Sequence, residues 1–412
     1  MLAAVTTHDV PLIATIAVSL AFAFVGGFLA VGLRLPPLVG YLLAGIVVGP
    51  FTPGFVADAH LAPQLAEIGV ILLMFGVGTH FSIRDLVAVR GVALPGAFVQ
   101  IVVATALGVG LASLWGWSLG AGIIFGLSLS VASTVVLLRA LEDRDMIKSS
   151  DGRIAIGWLV VEDLLMVLTL VLLPALAGIM GGHVPNDTDH GSVLPALGIT
   201  IGKVVVFIAL MLFAGVRFFP WLLSRVERTG SRELFTLAVV ALALGVAFGS
   251  AKLFGVSFAL GAFFAGVVVN ESDLSHRAAK DLQPIQDAFT VLFFVAMGML
   301  FDPSIMVRQP FQVLAVLAII VFGKSLAAFG IVRVLGGSTQ TALIVSAALA
   351  QIGEFSFILA ALGVKLGLLP AEGLNLIDAG ALLSITFNPA VFSAAVALAG
   401  RRGNSVPRGV TQ

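Results

Sequence analysis

Apolar runs long enough to cross a bilayer follow one another along almost the whole chain. Thirteen runs lie near residues 10–32, 36–50, 61–80, 85–115, 118–141, 151–180, 195–224, 231–251, 255–271, 285–301, 309–336, 339–362 and 374–400. A helix of about 20 apolar residues spans the hydrocarbon layer, where the backbone must satisfy its own hydrogen bonds. The pattern therefore predicts an all-α polytopic membrane protein with thirteen transmembrane helices.

Composition supports this class and excludes others. Of the 412 residues, 59% are hydrophobic and 11% are charged, whereas soluble domains carry about 25% charged residues. The net charge is zero and no basic run occurs, so we expect membrane lipid and no nucleic acid as a partner. The absence of cysteine excludes disulfides and thiolate metal ligands. The sequence indicates neither an enzyme nor a bound cofactor.

Lysine and arginine residues predict the orientation of the chain. If the N-terminus lies outside, nearly all of these residues in loops fall on one side, and the other side holds Lys252, Arg308 and Lys365. Loops rich in positive charge lie on the cytoplasmic side. The N-terminus is therefore predicted to lie outside and the C-terminus in the cytosol.

Two short motifs recur at nearly one distance along the chain. Leu43–Val48 resembles Phe264–Val269, 221 residues later, and Leu73–Gly78 resembles Phe293–Gly298, 220 residues later. Seven spans separate the matching segments, and this odd number predicts two inverted six-helix repeats joined by a linker span. The predicted first repeat, linker, second repeat and cytosolic tail cover residues 1–180, 181–230, 231–400 and 401–412. Inverted repeats are typical of transporters that bind their substrate near the midplane.

Two adjacent carboxylates, Glu162 and Asp163, interrupt the sixth run. Asp163 lies about 18 Å beyond Asp151 along a helix, at about 1.5 Å per residue, which places it near the bilayer midplane. A charge at that depth costs about 2.5–3.5 kcal/mol on insertion scales. A pair of such residues therefore predicts a site that binds an ion or a proton.

Polar residues also interrupt the fifth and twelfth runs at equivalent places. The fifth run contains Ser133 and Thr134, and the twelfth contains Gln351 and Glu354. Oxygen atoms at a helix break are suitable ligands for a hard cation. A hydroxyl in a membrane helix more often bonds its own backbone, which is the alternative for Ser133 and Thr134.

A single lysine, Lys324, lies deep in the eleventh run. Glu162 is its predicted partner, and the arrival of a proton or a cation would break the pair. A purely structural ion pair is the alternative interpretation of the same two residues. Such buried groups interact strongly in either case.

Several motifs resemble Kef-type members of the monovalent cation:proton antiporter superfamily. Arg34–Pro50 and Leu65–Phe75 resemble the start of these proteins, and the run 130–177 looks most like their YbaL-like branch. The serine–threonine pair of the fifth run, the glutamate–aspartate pair and Gln351–Phe355 fit the same family.

The resemblance implies a fold, a mechanism and a role for each site residue. It implies two broken, crossing helices, a homodimer formed by spans 1–3 and 8–10, and a core of spans 4–6 and 11–13 that moves like an elevator. It also implies a bacterial cytoplasmic (inner) membrane. Asp163 matches the aspartate at which cation and proton compete, and Lys324 the lysine that pairs with this region. Ser133 and Thr134 match the first helix break, and Gln351 and Glu354 the second, so a monovalent cation is expected at Asp163 and Thr134.

Two departures from the family pattern leave questions open. Glu162 occupies a position that holds Asp, Asn or Gln in better-known relatives, which leaves both the ion and the stoichiometry open. Kef-type proteins usually continue into a nucleotide-binding regulatory domain, but only twelve residues follow Gly400 and no glycine-rich fingerprint occurs. A regulatory domain or an ancillary subunit outside this chain is therefore an expected partner.

The leading function is the exchange of K⁺ or Na⁺ for H⁺ by alternating access. A cation-coupled symporter of an organic solute and a gated K⁺ efflux channel are the alternatives. A symporter requires groups that recognise its solute, and a channel does not require two ions to compete at one carboxylate. Carboxylates, hydroxyls and one lysine therefore favour ion exchange.

Overall fold

The computed structural model describes residues 11–53, 61–80, 83–182 and 193–403. Every regular element within these ranges is a helix. The α-helices are α1 (Pro11–Gly32), α2 (Pro37–Val48), α3 (Ala62–His80), α4 (Ile83–Leu114), α5 (Leu119–Ser130), α6 (Thr134–Glu142), α7 (Ser150–Leu176), α8 (Val193–Leu210), α9 (Val216–Glu227), α10 (Arg232–Phe254), α11 (Phe258–Asn270), α12 (Ser275–Leu300), α13 (Ile305–Arg308), α14 (Pro310–Ala318), α15 (Lys324–Val334), α16 (Thr339–Ala348), α17 (Glu354–Lys365) and α18 (Ala371–Gly403). Most of the predicted tail, 404–412, lies outside the described residues.

Ten helical segments of the described chain are long and apolar enough to cross a membrane. Three shorter apolar helices, α2, α11 and α16, accompany them. Large apolar side chains such as Phe24, Phe28 and Phe213 are exposed on the surface, as expected where lipid covers a protein. The prediction of an all-α polytopic membrane protein is therefore confirmed.

Serine and glycine residues determine where α10 ends and α11 begins. Gly255 has a φ of 69°, a left-handed conformation that glycine adopts without steric cost and that commonly ends helices. The Ser257 hydroxyl then accepts a hydrogen bond from the Leu260 N–H at 3.3 Å and starts α11. The two helices are thus joined by a tight turn and pack against each other.

The predicted tenth span begins too late, near 285, because α12 starts at Ser275. The first turns of α12 carry charged residues, which ended the apolar run in the sequence. Ion pairs accommodate them: Arg277 Nη1 lies 3.0 Å from Glu227 Oε1, and Arg232 Nη2 lies 3.2 Å from Asp281 Oδ1. Hydropathy alone does not reveal such pairing, so it places the helix start wrongly.

Glycines bring two pairs of helices into close contact. A Cβ atom at Gly45 of α2 would lie 2.8 Å from the Cα of Gly298 in α12. A Cβ atom at Gly78 of α3 would lie 3.0 Å from the Cα of Gly266 in α11. Small residues allow such close packing between membrane helices. In the recurring motifs Gly45 matches Gly266 and Gly78 matches Gly298, so each contact is the counterpart of the other.

We expect Gly45→Leu to lower the free energy of unfolding by about 1–3 kcal/mol, because the side chain would force α2 and α12 apart. Thermal unfolding of the purified protein in detergent measures this effect. Gly110→Leu in α4 is the matched control, since no atom lies within 4 Å of a Cβ atom there. Equal unfolding temperatures for wild type and Gly45→Leu would contradict this packing.

Helix packing divides the described chain into two groups. In the scaffold group, α1, α2, α3, α10, α11 and α12 pack together. In the core group, α4 to α7 pack with α14 to α18. The two groups correspond to the two domains that the resemblance implied.

Candidate functional site

Two spans of the core group are interrupted near their middle. In the first, α5 ends at Ser130, residues 131–133 are extended, and α6 begins at Thr134. In the second, α16 ends at Ala348 and α17 begins at Glu354. Each interruption leaves backbone N–H and C=O groups without partners inside a helix, and these groups must find partners elsewhere when they are buried.

The two interruptions touch each other at Ser133 and Gly353. A Cβ atom at Gly353 would lie 2.6 Å from the Cβ of Ser133, so only glycine fits there. The Ser133 N–H donates to Gln351 Oε1 at 2.8 Å, and Gln351 Nε2 donates to the Ser133 carbonyl at 3.2 Å. The amide of Gln351 therefore satisfies both backbone groups of Ser133 and holds the two breaks together.

The adjacent carboxylates of α7 reach the first interruption at neighbouring positions. Glu162 Oε2 accepts a hydrogen bond from the Ala132 N–H at 2.9 Å, and Asp163 Oδ2 accepts one from Thr134 Oγ1 at 3.2 Å. Glu162 is 0% and Asp163 is 8% exposed. The second oxygens, Glu162 Oε1 and Asp163 Oδ1, have no hydrogen-bond partner among the described residues. Each acid thus keeps one buried oxygen for a proton or a cation.

Glu354 and Lys324 complete the cluster from the second interruption. Glu354 is the first residue of α17, where the positive end of the helix dipole favours a carboxylate. Its Oε2 accepts a hydrogen bond from Ser133 Oγ at 3.4 Å. Lys324 is 0% exposed, and its Nζ donates to the carbonyl oxygen of Gln351 at 2.9 Å. A π-helical turn, Ile319–Gly323, directly precedes Lys324.

The structure thus brings all seven predicted residues into one cluster, but not in every predicted pairing. Among the described residues, no ion pair within 4.0 Å joins Lys324 to a carboxylate. Lys324 bonds a backbone carbonyl instead and acts on Glu162 through space. A sequence cannot show this contact, because the carbonyl of Gln351 becomes available only where the helix is broken.

The charges of the cluster explain what it can bind. Three buried carboxylates face one ammonium group, and Asp163 interacts electrostatically with both Glu162 and Glu354. Buried charges of one sign oppose one another unless another charge compensates them. Addition of a proton or a monovalent cation supplies that charge, and the free oxygens of Asp163 and Glu162 are where it can bind.

Three buried polar residues were missed by the sequence analysis. Gln100 of α4 donates to the Ser130 carbonyl at 2.9 Å, and Asn388 of α18 donates to the Ala347 carbonyl at 3.0 Å. Both carboxyl oxygens of Asp378 are buried and have no partner among the described residues. A single polar residue within an apolar run was the available signal, as it was for Lys324.

At one end of the molecule, the scaffold group and the core group are joined by polar contacts. Lys365 Nζ, at the end of α17, lies 3.8 Å from Glu67 Oε1 near the start of α3. The Asp302 N–H, just after α12, donates to Asn375 Oδ1 of α18 at 3.0 Å. These contacts close that end of the boundary between the two groups.

At the opposite ends of α3 and α12 lies a cavity of about 290 Å³. Its lining is mostly polar and includes Thr79, Ser275, His276, Lys280, Gln283, Gln286 and Asp287. The structure is therefore closed at one end of these two helices and has a water-accessible, polar opening at the other.

Comparisons with known proteins agree on one family. The model of the family described as sodium/hydrogen exchanger, transmembrane, matches residues 20–398. The protein named putative cation/proton antiporter YbaL of Escherichia coli K12 is 64% identical over 386 residues, which cover 94% of this chain and 69% of that protein. K(+) efflux antiporter 4 of Arabidopsis thaliana is 33% identical over 386 residues, covering 93% of this chain and 64% of the relative.

A solved structure has the same fold. The sodium proton antiporter MjNhaP1 of Methanocaldococcus jannaschii at pH 8 matches with a TM-score of 0.66 and 17% identity, covering 95% of this chain and 100% of that one. At this identity the match shows the fold alone. Together with the similarity to YbaL and the K(+) efflux antiporter, the family match confirms the predicted resemblance: the chain belongs to the sodium/hydrogen exchanger family, as a Kef-type member.

Proposed function

We propose that this protein is a secondary active transporter that exchanges a monovalent cation, K⁺ or Na⁺, for protons across a bacterial inner membrane. The observation that carries the proposal is the buried carboxylate of Asp163, which has one oxygen held by Thr134 and the other free among the described residues. The names of the relatives support it, since they describe cation/proton, K⁺ or sodium/proton antiport.

Cation and proton compete for Asp163 in this mechanism. An ionised carboxylate in a buried site requires a compensating charge. A proton or a cation supplies it, and the binding of one releases the other. The Thr134 hydroxyl contributes a neutral oxygen to the cation. Ser133, Gln351 and Glu354 hold the two helix breaks at the distance that this site requires.

The transporter has thirteen spans in two inverted repeats, with the three shorter apolar helices as spans of their own. The two counterpart glycine contacts, Gly45 with Gly298 and Gly78 with Gly266, support the repeat, because an inverted repeat requires exchanged partners of this kind. The scaffold group forms a homodimer, and the core group carries the bound ion past it like an elevator.

The structure corresponds to an inward-facing state of this cycle. With the N-terminus outside, the contacts of Lys365 with Glu67 and of Asn375 with Asp302 lie on the extracellular side. The polar cavity between α3 and α12 then opens to the cytosol. Outward movement of the core group would break these contacts and close the cavity.

Reconstituted protein tests the proposed function directly. Proteoliposomes that hold a pH-sensitive dye and an imposed pH gradient are supplied with K⁺, Na⁺ or choline. We expect K⁺ or Na⁺ to move protons and choline to have no effect. Proton movement with neither ion would contradict exchange, and cation flux without proton movement would favour a channel. Clamping the membrane potential with valinomycin in the Na⁺ arm reports whether the exchange is electrogenic.

We expect Thr134→Val to raise the apparent KM for the cation by about tenfold while changing the maximal rate less, because loss of one buried polar contact costs about 1–1.5 kcal/mol. Valine preserves the shape of threonine but offers no oxygen. Thr169→Val in α7 is the matched control, since this hydroxyl bonds its own helix at the Leu165 carbonyl. An unchanged KM in Thr134→Val would give the first helix break a purely structural role.

A further inference from the structure

In each interrupted span, a carbonyl at or just beyond the end of the first half-helix accepts a hydrogen bond from a side-chain nitrogen of the preceding span. Gln100 Nε2 of α4 donates to the carbonyl of Ser130 at 2.9 Å. Lys324 Nζ of α15 donates to the carbonyl of Gln351 at 2.9 Å. Both donors are 0% exposed. The two hydrogen bonds have the same length and perform the same task in the two halves of the chain.

The two acceptors are equivalent in the predicted repeat. Ser130 and Gln351 are 221 residues apart, which is the offset of the motif that begins at Leu43 and recurs at Phe264. The donors, Gln100 and Lys324, are 224 residues apart, so they differ from strict equivalence by about one helical turn. The hydrogen bond of Gln100 is therefore the counterpart of the hydrogen bond of Lys324 in the other repeat.

The counterparts differ in charge. The carbonyl end of a helix carries a partial negative charge, which a cation stabilises. Lys324 supplies a full positive charge at the second break, whereas Gln100 supplies a neutral N–H at the first. Gln100 also keeps a buried amide oxygen, Oε1, that has no partner among the described residues. The first break is thus capped without any positive charge being added to it.

The uncharged cap lies beside the proposed cation ligands. Ser130 is followed by the extended residues 131–133 and then by Thr134, which bonds Asp163. Within the same segment the Ala132 N–H bonds Glu162. Gln100 therefore holds the backbone from which both carboxylates of α7 are contacted. A positive charge at this position would oppose a cation at Asp163.

We propose that Gln100 is a positioning and specificity-determining residue of the cation site. It fixes the first helix break and keeps that side of the site free of positive charge, so that the negative charge of Asp163 and Glu162 remains available to the cation. This inference rests on the proposed exchange at Asp163 and names a further residue on which that exchange depends.

Gln100→Lys separates the two parts of the role. Lysine keeps an N–H donor for Ser130 but adds a positive charge, and a unit charge within about 10 Å of a cation weakens its binding about tenfold at an effective dielectric constant of about 20. We expect the apparent KM for the cation to rise at least about tenfold in Gln100→Lys. We expect this effect to shrink at alkaline pH, where the introduced lysine loses its proton.

Gln100→Met provides the second variant, with similar length but neither donor nor charge. We expect a smaller rise of KM than in Gln100→Lys, together with a lower unfolding temperature, because the Ser130 carbonyl loses its partner. Asn375→Ala is the control for loss of an interior amide, since Asn375 bonds Asp302 at the far end of α18. The apparent KM and the thermal unfolding of all variants are measured in one preparation series.

The outcomes distinguish this inference from the proposed function. A larger KM in Gln100→Lys than in Gln100→Met, with both proteins folded, supports it. A wild-type KM in Gln100→Lys at every pH would overturn it and reduce Gln100 to a structural cap. If Gln100→Lys does not fold, an unchanged KM in Gln100→Met would overturn it equally. A wild-type protein that exchanges no cation would instead refute the proposed function.

Discussion

Asp163→Asn is expected to abolish cation-dependent proton movement while the protein remains folded. Asparagine keeps the shape of aspartate and can still accept the hydrogen bond from Thr134. It cannot take up the transported proton, and it offers the cation a dipole in place of a full charge. Dye-reported proton flux in proteoliposomes measures the loss, and thermal unfolding of the same preparation shows that the protein remains folded.

Asp151→Asn is the matched control for this variant, because it changes another buried aspartate of α7. Asp151 Oδ1 accepts a hydrogen bond from Thr341 Oγ1 at 2.7 Å, away from the helix breaks. We expect the control to lose some stability and to retain exchange. If Asp163→Asn exchanged ions at a rate near that of wild type, the site would have to be placed elsewhere.

Lys324→Ala is expected to lower the free energy of unfolding by about 3–5 kcal/mol, because it removes the only buried positive charge that the described part of the cluster contains. It also leaves the Gln351 carbonyl without its donor. In the double variant Lys324→Ala, Glu162→Gln, the loss should be smaller than in Lys324→Ala alone, since one uncompensated carboxylate is gone. Chemical unfolding of all four proteins gives the interaction energy between the two residues.

Coupled residues typically show an interaction energy of about 0.5–3 kcal/mol in such a cycle. No direct ion pair joins Lys324 to Glu162 in the described structure, so any interaction energy would report their effect on each other through space. Strictly additive effects on stability and on transport would show that the two residues act independently. The proposed coupling would then have to be abandoned.

Glu162→Gln alone should leave exchange running. The amide oxygen of glutamine can still accept the hydrogen bond that Glu162 receives from the Ala132 N–H. Because one titratable carboxylate is removed beside Asp163, the pH optimum of exchange and its response to membrane potential are expected to change. Loss of all exchange with a folded protein would make Glu162 a second essential ion ligand.

The sequence was most informative where one charged residue stood out in an apolar run. Glu162, Asp163, Lys324 and Glu354 were identified in this way, and the structure gathers them around the two helix breaks. The same reasoning should have included Gln100, Asn388 and Asp378, which are equally isolated in their runs. An uncharged amide attracts less attention, because the cost of burying it disappears once a backbone carbonyl accepts its hydrogen bond.

Other features require three-dimensional contacts and could not be predicted from the sequence. The early start of α12 depends on partners of Arg277 and Asp281 that lie about 50 residues away in the chain. The bond of Lys324 to the Gln351 carbonyl exists only because the twelfth span unwinds there. The contact between Lys365 and Glu67 belongs to one arrangement of the scaffold and core groups.

The dependence of the apparent cation KM on pH tests the competition at Asp163 most directly. Initial rates are measured in proteoliposomes with equal pH on both sides, over a series of cation concentrations at each pH. Competition at one carboxylate predicts that KM rises in proportion to the proton concentration at acidic pH, while the maximal rate at saturating cation stays constant. A KM that does not change with pH, with a maximal rate that falls as protons are added, would show that the two ions bind at separate sites.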